Sequence, residues 1–441
     1  MHPRRSHFLA FILLLTFAAV VHADKVDDFV KAQMEKQHLP GVSIVVIKDG
    51  KIVKMEGYGL ANIELNVPAR PETVYKIGSV SKQFIAAGIM LLIEEGKVSL
   101  DDNVGKFLEG TPESWKPITI RHLLTHTSGI VREAPGFDPL KIQTDADVIK
   151  TAYSLPLRFT PGEKYEYCNV GYFTLAEIIS KVSGKPWGDF LNERVFTPLG
   201  MTATRTTTVT DLVPNRANGY VWRNGKMQNA TIFLALRPSG AFLSTVIDLA
   251  KWDEALNNGK LLKRSTLEQM WTPLKLNDGK SHPYGFGWQL EPVNGHKQVN
   301  HGGSLPGFRA QLARFIDDKV TVVVLTNGDN ADAARIAQGV ANFYIPGLLP
   351  DRKMTRVDGK ILDGYAGQYQ GTVTVSITRN NEKLILKQGE ETLELVPESE
   401  TNFFVKDGGR TLFSFVKDAT GQLHLAGVLD GREIWRLKKV K

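Results

Sequence analysis

Ser79 and Lys82 stand three residues apart at the head of a long apolar stretch, and no other pair in the chain is better placed to do chemistry. The pattern predicts a helix from Ser79 to about Glu95, with Gly96 as its C-terminal stop. Residues three apart share a helix face, roughly 5–6 Å between Cβ atoms. Ser79 then sits at the positive end of the helix dipole, with an amine one turn away. A serine hydroxyl is a weak nucleophile until a neighbour takes its proton, so a nearby amine is what such chemistry needs. Ser-x-x-Lys is short and also arises by chance. A second copy, Ser414 to Lys417, lies in an alternating strand-like run. Residues three apart on a strand point to opposite faces, so that copy cannot form a dyad.

Two further short patterns stand out. Tyr167-Cys168-Asn169 is the only Tyr-x-Asn in the chain and sits in a loop entering a helix. A phenol titrates near 10, and adjacent cations are expected to lower that value until Tyr167 can act as a base toward a serine hydroxyl. The amide of Asn169 could hold a substrate amide. His301-Gly302-Gly303-Ser304 is the only His-x-Gly and precedes a strand. Its glycines allow close approach of a substrate to backbone. A strand edge there offers an N–H to an oxyanion, with the Ser79 N–H as the other donor. The plainer reading is a loop histidine beside a glycine turn.

Taken in order, Ser-x-x-Lys, Tyr-x-Asn and His-x-Gly resemble the serine β-lactamase and penicillin-binding superfamily. The nearest group within it holds class C β-lactamases, D-alanyl-D-alanine carboxypeptidases, D-aminopeptidases and esterases. The segments Ile118–Gly129 and Pro198–Thr202 are similar to this family too, and the likeness covers roughly Lys25 to Tyr344. The resemblance implies Ser79 as nucleophile, Lys82 sharing its proton, and Tyr167 as general base and proton donor to the leaving group. It implies Asn169, His301, Gly303 and Ser304 as substrate-binding residues, with the N–H groups of Ser79 and Ser304 as oxyanion hole. No cofactor or metal is implied. Two departures matter. His301 stands where dedicated β-lactamases of this group have a lysine, which leans the reading toward a peptidase or esterase. Cys168 stands where serine is common; a buried small side chain is expected there rather than a nucleophile. Arg309 is a candidate for a substrate carboxylate, with an ordinary surface arginine as the alternative.

His122 and His126 are four apart, a spacing that could grip a metal on one helix face. No Glu follows in a His-Glu-x-x-His arrangement, so helix-end and loop hydrogen bonds are the expected use. No Gly-x-Ser-x-Gly elbow, phosphate loop or dinucleotide fingerprint occurs.

The elements that must position these residues follow from periodicity. A helix is expected from about Asp27 to Gln37 and a hairpin around Asp49-Gly50. A buried central strand is expected at Val320–Leu325, and a last helix from Ala331 to about Tyr344. This order predicts an α+β fold: an antiparallel sheet built from both chain ends and flanked by helices, with a helical region inserted between; the resemblance implies that it is β-lactamase/transpeptidase-like. After Pro350, seven short alternating runs separated by turn residues predict a small all-β meander or barrel. The expected domains are a signal peptide over 1–23, a catalytic domain over 24–350 and a β-rich accessory domain over 351–441.

Arg4 and Arg5, the apolar run from Phe8 to Val21 and Val21-His22-Ala23 make a basic, an apolar and a small-x-small region, as in a cleaved export signal. A periplasmic or secreted protein with no stable membrane anchor after cleavage is expected. The single cysteine leaves no intrachain disulfide. The formal net charge of +7 is scattered, without a basic stripe, which argues against nucleic acid. The expected partner is a small-molecule or short-peptide substrate, cell-wall fragments among the candidates. Two other readings stay open: a class C-type β-lactamase, and a non-catalytic penicillin- or peptide-binding or sensor protein.

Overall fold

The computed structural model describes residues 13–138, 140–208, 210–231, 238–240, 242–389, 391–405 and 408–440. Of the expected export signal, residues 1–12 lie outside these residues. The first helix, α1, spans Leu13–Lys36.

Two compact units are present, Met1–Pro292 with His296–Pro346, and Val293–Gly295 with Gly347–Lys441. The first holds the expected antiparallel sheet. Its strands are β1 (Gly41–Lys48), β2 (Lys51–Asn62), β3 (Val67–Pro68), β4 (Gln298–Leu305), β5 (Phe308–Phe315) and β6 (Val320–Thr326). They lie in the order β4-β5-β6-β1-β2-β3. Asp49 and Gly50 both take positive φ, 51° and 74°, as a two-residue hairpin turn between β1 and β2 requires. Every residue of β6 is buried, so its unbroken Val/Leu/Thr run needs no polar alternation. It pairs with β1 from Val42 opposite Thr326 to Lys48 opposite Val320, joining the two chain ends in the sheet centre.

The inserted region is helical. Its axis is α2 (Lys82–Glu94), of which residues 82–92 are all buried. Ser79 sits one step earlier, in a 3-10 turn over Gly78–Ser81 that leads into it. Beneath α2, Phe84 meets Phe196, Phe242 and Trp252 edge-on, with ring centroids 5.1, 5.5 and 5.0 Å away. Burying aromatic and aliphatic side chains at roughly 1.5–3 kcal/mol each holds this helix in place. Further on come α3 (Ile120–Leu124) and α4 (Asn169–Ser183), and α4 packs on α2.

The second unit is a closed antiparallel barrel of eight strands. Seven correspond to the alternating runs. The eighth, Gly367–Gln370, closes the ring through Tyr369 opposite Lys439 and Gln370 opposite Lys438. Ser414 lies on the strand Gly408–Lys417 and donates to Asn402, as a strand residue rather than half of a dyad.

Candidate active site

The 3-10 turn that carries Ser79 is pressed against the edge of β4. Gly78 has φ 54°, and a Cβ there would lie 2.6 Å from the Ser304 nitrogen; a Cβ on Gly303 would lie 1.9 Å from the Ile77 oxygen. Only glycine at both positions lets the two backbones touch. The contact sets the third pattern beside the nucleophile and brings the Ser304 N–H next to Ser79.

Lys82 is fully buried, yet its ammonium meets three oxygens. It donates to Ser79 Oγ at 3.1 Å, Asn169 Oδ1 at 2.8 Å and the Ser239 carbonyl at 2.9 Å. That matches the whole donor inventory of an ammonium. Its nitrogen also lies 4.7 Å from the centroid of the Tyr167 ring. Ser79 and Tyr167 line the same cleft. Tyr167, from a distant stretch of the sequence, therefore joins Ser79 and Lys82 in one cluster.

Asn169 starts α4. Its Oδ1 faces Lys82 and its Nδ2 donates to Glu133, so both ends of its amide bind protein groups. In this arrangement it steadies Lys82. Cys168 caps the same helix: its sulfur accepts from the Gly171 N–H at 3.3 Å, and burial pushes the thiol up to about 12. A protonated capping thiol is no nucleophile.

Tyr167 departs from expectation. Burial holds its phenol above the ordinary range and outweighs the nearby Ser79 hydroxyl and the charge of Arg132, which pull the other way. Desolvation of the phenolate beats the neighbouring cations. The resting site holds a neutral phenol, with the Arg132 guanidinium 5.2 Å from its ring.

His301 is buried with both ring nitrogens engaged, Nδ1 with the Gly302 carbonyl at 2.7 Å and Nε2 with Tyr284 Oη at 3.1 Å. Burial, with Lys82 nearby, lowers it to about 3, so this imidazole is neutral. His122 and His126 share no helix face. α3 ends at Leu124, and His126 takes φ 60°. His122 Nδ1 accepts from the Thr119 N–H in a capping box.

The cluster opens into a cleft of ≈ 370 Å³ whose wall includes Ser79, Tyr167, Gly303 and Ser304. Arg132 and Arg309 line it as well. Arg309 is half-buried and spends one nitrogen on the Leu305 and Phe308 carbonyls, at 3.0 and 2.9 Å. Sequence reasoning passed over Arg132, Glu133, Ser239 and Tyr284. Tyr284 had one legible signal: Tyr284-Gly285-Phe286-Gly287 alternates glycine outside any turn pattern, a mark of close backbone packing.

The profile of the Beta-lactamase family matches residues 26–344. Penicillin-binding protein 4* of Bacillus subtilis (strain 168) is 32% identical over 406 residues, covering 84% of this chain and 89% of its own. The octameric penicillin-binding protein homologue from Pyrococcus abyssi superposes with a TM-score of 0.68 at 29% identity, over 94% of this chain and 99% of its own. D-amino acid amidase from Ochrobactrum anthropi SV3 shares the fold, with a TM-score of 0.62 at 23% identity, over 72% of this chain and 96% of its own.

Proposed function

The chain belongs to the Beta-lactamase family, and from that starting point we propose that it is an exported serine hydrolase forming a covalent acyl-enzyme on small amides or esters. The reading leans toward short D-amino-acid peptides or esters, cell-wall fragments among them. One observation carries it: Ser79 Oγ accepts from the buried Lys82 ammonium, whose nitrogen lies 4.7 Å from the centroid of the Tyr167 ring.

This grouping offers a proton path. Ser79 Oγ attacks the carbonyl carbon while its proton passes to the Tyr167 oxygen. Tyr167, protonated at rest, gives its own proton to the leaving nitrogen or oxygen. No charged phenolate need form in the buried site, and the Lys82 ammonium steadies the negative charge that develops. The N–H groups of Ser79 and Ser304 face that charge from the backbone. Water then enters by the reverse path and frees the acid.

The neutral His301 favours this reading over a dedicated β-lactamase. Its position offers no fixed positive charge for a carboxylate, because both nitrogens are bound within the protein. Export rests on the Arg4–Ala23 pattern.

The test is a panel of p-nitrophenyl esters, D-amino-acid anilides and β-lactams, with intact-mass detection of the adduct. Ser79→Ala is expected to abolish the adduct with the fold intact. Full labelling of that variant would refute the assignment. Cephalosporin turnover far faster than ester turnover would instead favour a β-lactamase, and a stable adduct without turnover a binding or sensor protein.

A further inference from the structure

We propose that Tyr284 and His126 are positioning residues, joined with His301 in a hydrogen-bond chain of fixed polarity that holds the Tyr167 loop to the strand bearing Gly303 and Ser304. The inference rests on the acyl-enzyme reading above.

The polarity follows from the two ends. The Cys168 N–H can only donate, and it lies 3.0 Å from His126 Nδ1. Nδ1 is therefore bare, and the single proton of a neutral imidazole sits on Nε2. That nitrogen is 3.1 Å from Tyr284 Oη. At the other end the Gly302 carbonyl can only accept, so His301 Nδ1 carries its proton and Nε2 is bare. Tyr284 Oη, with one proton to give, must donate to His301 and accept from His126. Every donor meets one acceptor, in one orientation.

Burial is what keeps this order. Relative exposure is 1% for His126, 1% for Tyr284 and 2% for His301. Burial and the Lys82 charge disfavour a proton on either ring, with Arg132 adding to the effect at His126. Around His126 stand the rings of Tyr165, Tyr167, Tyr172 and Tyr284. Around His301 stand Tyr167 and Tyr284.

The chain spans the cleft. Cys168 lies between Tyr167 and Asn169, and the His126 ring is 4.2 Å from the Tyr167 ring. His301 begins the stretch that presses on the Ser79 turn. The Tyr284 segment is itself pinned: a Cβ at Gly285 would lie 2.0 Å from the Met270 oxygen, and one at Gly287 2.9 Å from the Lys82 oxygen. Gln289 exchanges both backbone hydrogen bonds with Asn300, next to His301.

Protonating His301 would set two donors, Nε2–H and the tyrosine O–H, against each other. Tyr284→Phe removes that obstacle but leaves burial and the Lys82 charge in place, so His301 stays neutral and the loss is expected at every pH.

The experiment is the pH dependence of kcat and KM for p-nitrophenyl acetate, in the full chain and in Tyr284→Phe, with thermal unfolding as a check on folding. Nitrogen-15 spectra of histidine-labelled wild-type protein accompany it. Expected are an Nε2–H tautomer at His126 and an Nδ1–H tautomer at His301. In the variant, kcat should fall about tenfold to a hundredfold at every pH, with KM little changed. No loss of kcat, a rise in KM in place of the fall in kcat, or the opposite tautomers would overturn the proposal. The tautomer reading stands even if the variant fails to fold. Acylation of Ser79→Ala would sink the acyl-enzyme reading instead, so the two failures are separable.

Discussion

The buried Lys82 ammonium is surrounded by neutral oxygens of Ser79, Asn169 and Ser239, an arrangement that keeps it close to the hydroxyl it serves. At this scale small distances decide function, and Gly303 is the sharpest case. Gly303→Ala sets a methyl against the Ile77 carbonyl and must push β4 away from the Ser79 turn. The expected result is a loss in kcat of about 10²–10³-fold, as for loss of an oxyanion donor, with far-ultraviolet circular dichroism unchanged. Near-wild-type kcat would show that the Ser304 N–H is not used. Ser79, Lys82, Tyr167 and His301 were legible because their types and spacing are rare in combination. The neutral state of Tyr167 was not, since sequence shows its charged neighbours and hides its burial. His126 and Tyr284 were hidden for a related reason: they meet across 158 positions of chain.

Among the elements, α2 sets the reactive geometry, and its own place is set by the aromatic cluster around Phe84. Phe84→Ala is expected to cost about 3–5 kcal/mol of stability. Denaturant unfolding should show this as an earlier midpoint, and activity should fall with it because Lys82 starts the same helix. An unchanged midpoint would mean that the cluster is not what anchors α2. The sheet was readable where side chains alternate or run apolar, as in β1 and β6. The strand Gly367–Gln370 was not, because its Gly-Gln-Tyr-Gln carries one buried side chain and its role as closing strand depends on a partner at the far end of the unit.

For the molecule as a whole, stability should depend on acidity through Asp145. Burial raises this carboxyl to about 7, with Glu177 adding to the effect and a hydrogen bond from Trp187 opposing it. The unfolded chain ionises it near 3.8. The folded state therefore binds the proton more tightly. The stability it contributes is full below a pH of about 4 and is lost as pH rises through about 7, a change on the order of 4 kcal/mol. Asp145→Asn is expected to flatten the melting temperature across that window. A parent-like slope in the variant would assign the dependence to another group.

Cys168 has a use beyond capping. It is the sole thiol of the chain and is shielded in the fold, one residue from Tyr167. An alkylating reagent can reach it only when the start of α4 comes loose, so the pace of its modification clocks how often the catalytic loop breathes.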